Sequence, residues 1–178
     1  MFTSTPTGPL WGALFTLLLL AACVTDVRTR RIPNALVLTI VATGLAFSVA
    51  TRPVAQALMA SVGGLGLGFA IWIAFWLAGV MGAADVKFFA AAGVWLGPAA
   101  TWRAALAAAI IGGLLAVIAL LSSRGLGAAL RRLALSLSSG SLAVLGNVHD
   151  GTTPRRHLPY GVALALGALT AAWFPQLT

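Results

Sequence analysis

Apolar residues run through this chain in stretches as long as a membrane is thick. Six such stretches occur, near residues 9–26, 34–51, 54–80, 85–100, 102–122 and 158–175. A hydrocarbon core of ~30 Å takes about 20 helical residues to cross. Only helices and closed barrels satisfy all their backbone polar groups there, and continuous apolar runs of this length point to helices. The chain is 60% hydrophobic and 8% charged over 178 residues, the composition of a protein whose solvent is lipid. The expected fold is all-α: a polytopic membrane protein of six transmembrane helices, one membrane domain over residues 1–178. The fourth run, closed by Gly97-Pro98, is the shortest.

Basic residues give this bundle a direction. A net charge of +8 would suit nucleic acid if it were gathered on one surface, but here it falls in short loops between apolar runs. No nucleic-acid partner is therefore expected. With six crossings, loops 27–33, 81–87 and 123–157 share one side and carry nine of the eleven Lys and Arg residues, leaving Arg52 and Arg103 opposite. The positive-inside rule makes the basic side cytoplasmic and puts both termini outside. Membrane lipids with anionic headgroups are the expected partners of that basic face. Trp11, Trp95, Trp102 and Trp173 then sit near outer span ends, as an interfacial belt would. Trp72 and Trp76 lie mid-span and read as packing residues.

Several features carry two readings. The N-terminus has no Lys or Arg ahead of its apolar run, which argues against a secretory signal peptide. Leu20-Ala21-Ala22-Cys23 has the look of a lipoprotein cleavage box, but the missing charge and the later spans oppose it. Cys23 is the single cysteine, so no intrachain disulfide or cysteine zinc site is expected, and it reads as a small buried hydrophobe. Gly63, Gly64, Gly66 and Gly68 suit close helix packing, with a hinge as the other reading. Residues 123–157 read as a cytoplasmic loop whose first half is compatible with an amphipathic surface helix. Within it His149-Asp150 is either a solvated pair or part of a metal site, and two adjacent residues favour the former. No metal or cofactor is expected.

Acidic residues are scarcer still: Asp26, Asp85 and Asp150 are all there are. A carboxylate near hydrocarbon is costly, so such residues are candidates for function. Asp26 lies 15 residues from Trp11, a rise of ~22 Å, and Asp85 lies 17 residues from Trp102, ~25 Å. Both fall short of ~30 Å, which places both carboxylates at or just under the cytoplasmic boundary. Structural roles are available to each. Asp26 can pair with Arg28, Arg30 or Arg31, and Asp85 suits a helix N-terminus with Lys87 snorkelling outward. Pro33 is well placed as the first residue of the second helix.

Taken in order, three motifs point further. Asp26 is followed by Arg31 and Ile32-Pro33-Asn34; Gly82-Ala83-Ala84-Asp85-Val86-Lys87 precedes the fourth run; Leu158-Pro159-Tyr160-Gly161 opens the last. This ordered set resembles the type IV prepilin peptidase family. The resemblance implies a six-span intramembrane aspartyl protease of the GxGD type in the bacterial cytoplasmic (inner) membrane. Its catalytic pair would be Asp26 and Asp85. Arg31, Pro33, Asn34, Gly82, Ala84, Lys87, Pro159, Tyr160 and Gly161 would be the supporting motif positions. The implied substrate is a prepilin or pseudopilin whose cytoplasmic leader is cut beside its apolar helix. With one cysteine and no room for a cysteine-rich insert, the chain looks like the small form of tight-adherence (Flp) pilus systems, without an N-methyltransferase domain.

Chemically, two carboxylates a few Å apart cannot both ionise easily and so share a proton. One activates water while the other protonates or polarises the scissile carbonyl, and the pair titrates as a unit. Ala84 departs from the family's Gly-x-Gly-Asp, where glycine would permit close approach or positive φ. That departure motivates an alternative, a catalytically weakened homologue acting as a membrane scaffold in pilus assembly. A small transporter using both aspartates as proton relays is a third reading, opposed by their place at one face and not the midplane.

Overall fold

The structure is a computed structural model that describes residues 7–29, 31–79, 81–122, 138 and 160–174. These form five helices: α1 (Gly8–Thr29), α2 (Asn34–Thr51), α3 (Val54–Leu77), α4 (Ala83–Ser122) and α5 (Tyr160–Trp173). The protein is all-α, and α1 to α4 are each long and apolar enough to cross a membrane. Apart from Ser138, the loop 123–157 with its amphipathic segment, His149 and Asp150 lies outside the described residues, as do Arg30 and Pro159.

The longest helix is not straight. Gly97 has φ 73° and ψ 171°, a combination essentially reserved for glycine, and Pro98 next to it has no N–H to donate. The consequence is a reversal. A straight helix would hold Met81 and Gly112 ~45 Å apart, yet both line one small cavity. Thr101 folds back against Gly93 and donates its hydroxyl to the Gly97 carbonyl at 2.7 Å. The element is therefore a hairpin, with an inner limb over 83–96 and an outer limb over 98–122. The expected break at Gly97-Pro98 is present, but helix resumes at once and takes in Arg103.

This hairpin changes the depth argument for Asp85. The ruler laid from Trp102 assumed one continuous rise, whereas the inner limb is only ~20 Å long. It need not cross the bilayer alone, because other helices wrap it: residues 88–97 are all buried. Along its side α3 approaches to backbone contact. A methyl on Gly64 would strike the Gly93 carbonyl, and one on Gly68 would sit 3.1 Å from Ala90 Cα. Gly63, Gly64 and Gly68 thus serve close packing, whereas Gly66 is exposed with open space around it. Ser61 adds a hydroxyl bond to the Val94 carbonyl at 3.3 Å.

Trp95 corrects the belt reading. It is fully buried, donates from Nε1 to the Ile40 carbonyl at 2.9 Å, and stacks on Phe47 at 5.2 Å. Trp11 and Phe15 close around it at 6.1 and 5.1 Å. Because the limb carrying Trp95 is central, its end meets other helices in place of the lipid interface. Trp102 and Trp173 are exposed, as the belt requires, while Trp72 is buried and Trp76 is exposed against its expected packing role.

Candidate functional site

Asp26 belongs to the buried stripe of α1. Gly8, Gly12, Phe15, Leu19, Ala22 and Asp26 are its buried residues, at alternating spacings of four and three that keep one helix face inward. The carboxylate therefore ends a line of core residues. What it meets there is the start of α5. The first turn of a helix has backbone N–H groups with no partner inside the helix, and the Gly161 N–H donates to Asp26 Oδ2 at 3.1 Å. Only glycine fits so close: a Cβ on residue 161 would lie 2.6 Å from Oδ2 and 3.0 Å from Cγ. Tyr160, beside it, is half-buried against Gly112.

Asp85 is held by its own helix start. The Gly82 carbonyl accepts from the Asp85 and Val86 amides at 3.2 and 3.5 Å, and the Asp85 carboxyl reaches back to the Gly82 amide. With Asp85 at the third position of α4, its carboxyl supplies one half of a capping box; Gly82 has no side chain to supply the other. A Cβ on Gly82 would come within 3.3 Å of Asp85 Oδ2, so this glycine too keeps room beside a carboxylate. Asp85 is half-buried, and it interacts electrostatically with Asp26. The end of α1 and the start of α4 thus lie at the same end of the bundle, bridged by α5, which packs against both helices.

The other expected positions divide. Ala84 lies within α4, whose one non-helical residue is Gly97, and it packs half-buried against the core. The backbone at 84 therefore does not need glycine's freedom. Arg31, Asn34 and Lys87 are exposed. Pro33 is exposed and caps α2, one residue before the position expected for it. Pro159 lies outside the described residues. Cys23, expected as a small buried hydrophobe, is half-buried, and its thiol sits 4.0 Å from the Gly161 carbonyl and interacts electrostatically with Asp26. Its spacing of three from Asp26, which puts both on one helix face, was the available signal.

Among the described residues no group of three or more His, Cys, Asp and Glu side chains is placed to hold a metal. What the fold and site define is an apolar-helix membrane protein with two interacting aspartates fastened by backbone amides at one end. The chain belongs to the type IV leader peptidase family, whose sequence profile matches residues 13–117. That match takes in both aspartates and ends before α5. Comparison with curated proteins and with solved structures gave no match.

Proposed function

We propose that the chain is an intramembrane aspartyl endopeptidase that removes the cytoplasmic leader of prepilin or pseudopilin substrates. The observation that carries this reading is the placement of Asp26 and Asp85 at one end of the bundle, each beside a glycine at a helix start and near enough for their charges to interact. Two carboxylates so placed act as one unit. One takes a proton from a water molecule as the other donates a proton to the scissile carbonyl. Fastening them to helix ends fixes their geometry before substrate arrives, which is worth more to catalysis than a flexible pair.

The chain then works in the bacterial cytoplasmic membrane with both termini outside, the two limbs of α4 counted as separate segments of a six-helix bundle. Its aspartates face the cytoplasmic boundary, where a substrate's apolar helix ends and its leader begins. Anionic lipid headgroups meet the basic loops there. The enzyme is the small peptidase-only form, without methyltransferase activity, that serves tight-adherence pili. The competing scaffold role rests on Ala84; the helical backbone there has no positive φ for a glycine to supply, which favours the enzyme reading over the scaffold.

Single variants test the proposal. Asp26→Asn and Asp85→Asn each lower leader removal from a co-expressed pilin by ~10³-fold or more, as expected for members of one catalytic unit, while the protein still inserts. Normal processing by both variants overturns it.

A further inference from the structure

Two glycines at positive φ bracket the inner limb of α4, and among the described residues they are the only two. Gly97 closes the limb at φ 73° and makes the reversal. Gly79 precedes the limb at φ 72°, between α3 and α4. Nothing said so far of the site uses Gly79.

Gly79 is where α3 stops. Ala78 is still helical, at φ −73° and ψ −2°, and its N–H donates to the Ala74 carbonyl at 3.0 Å. The Gly79 N–H donates to the Trp76 carbonyl at 2.9 Å. A residue at positive φ just past the C-cap, bonded back in this way, turns the chain off the helix axis. Gly79 is exposed, so its backbone angle and not shortage of room is what calls for glycine. Any Cβ is penalised at such a φ, a β-branched one most and that of Asn least.

The turn leads straight to the site. Three residues separate Gly79 from Ala83, the first residue of α4. Met81 among them is buried in the core, and the Gly82 carbonyl accepts the amides of Asp85 and Val86. Beyond Asp85 the limb has no room to yield. Residues 88–97 are all buried, and α3 presses its backbone on the limb at Gly64 with Gly93 and at Gly68 with Ala90. Those two pairs make α3 and the limb the antiparallel arms of one hairpin, fixed in register along their length. A change in the closing turn is therefore taken up between Gly79 and Phe88, the stretch that carries Asp85.

We propose that Gly79 is a positioning residue for the carboxylate pair: by holding the α3–α4 turn at positive φ it sets where α4 begins, and so where the Asp85 carboxyl stands relative to Asp26. This assignment rests on the peptidase reading above. Gly79 acts through the backbone, by way of Gly82 and Asp85.

A graded series at one position tests it. Full-length protein in proteoliposomes is given a leader-bearing pilin, with kcat taken per folded molecule and KM measured separately. Gly79→Asn, which bears positive φ, cleaves within a few-fold of the parent. Gly79→Val, which does not, loses about 10²-fold in kcat, the cost of misplacing a reacting group by ~1 Å, while KM holds. Gly79→Ala falls between them, about 10-fold down for a smaller shift, and decides the matter if Gly79→Val gives no folded protein. Gly97→Ala imposes strain at a matching φ at the far end of the same limb, and it keeps the parent's kcat per folded molecule.

Parent-like kcat in both Gly79→Ala and Gly79→Val overturns the positioning role and leaves the peptidase standing. So does a loss in Gly79→Asn as large as that in Gly79→Ala, or an equal loss of kcat in Gly97→Ala. Parent enzyme that cuts no leader-bearing pilin overturns the peptidase reading, and the positioning role falls with it.

Discussion

Replacing Gly161 by alanine puts a methyl carbon 2.6 Å from Asp26 Oδ2, 3.0 Å from Cγ and 3.3 Å from Cβ. Rotating the carboxylate relieves only the first of these contacts, because Cγ and Cβ crowd the same methyl. The side chain of Asp26 must then turn away, and its 3.1 Å bond from the Gly161 amide breaks. A hydrogen bond to a charged group is worth about 1.5–3 kcal/mol, which bounds the loss of fold stability from below. The functional loss is larger. A reacting group misplaced by ~1 Å costs about 10²-fold in rate, so Gly161→Ala should cleave pilin ~10²-fold more slowly at saturating substrate. The assay is leader removal by purified protein in proteoliposomes, run beside thermal unfolding in detergent. A structural role alone would move the melting temperature and the amount of folded protein, not kcat per folded molecule. Gly161→Ala with kcat within a few-fold of the parent would refute the claim that this glycine positions Asp26.

Two further substitutions probe the frame around the site. Gly97→Ala forces a side chain into φ 73°, ψ 171° and should cost about 1–3 kcal/mol, read as a lower unfolding temperature in detergent. An unchanged temperature would show that the α4 reversal does not depend on glycine. Ala84→Gly restores the family's glycine yet inserts it into a helix, so stability should drop by about 1 kcal/mol with no gain in cleavage rate. Faster cleavage by this variant would revive the view that Ala84 weakens the enzyme.

Apolar run lengths were enough to place four of the helices to within a few residues, because a chain in lipid has few other ways to bury its backbone. The same apolarity hid which face of each helix turns inward. On α1 the lipid-facing Leu17 and Leu20 and the buried Leu19 are chemically identical, so no moment in the sequence singled out the stripe that ends in Asp26. Trp95 shows the same blindness in another form. An aromatic residue near a span end reads as an interfacial anchor unless one knows that its limb is central. The residues that do carry information are those a membrane helix has reason to avoid. Gly97-Pro98 marked the break, Asp26 and Asp85 marked the site, and Gly161 sat in a motif whose purpose emerges only when residues 135 apart in sequence come within 3.1 Å. In a soluble protein the core is read from its hydrophobic residues and the site is the harder inference. Here the order inverts: aspartate, glycine and proline are each costly in a membrane helix, so each one present needs a local reason. Three of those reasons fall at one end of the bundle, where α5 packs on both α1 and α4, which is why the candidate site was more legible than the packing that surrounds it.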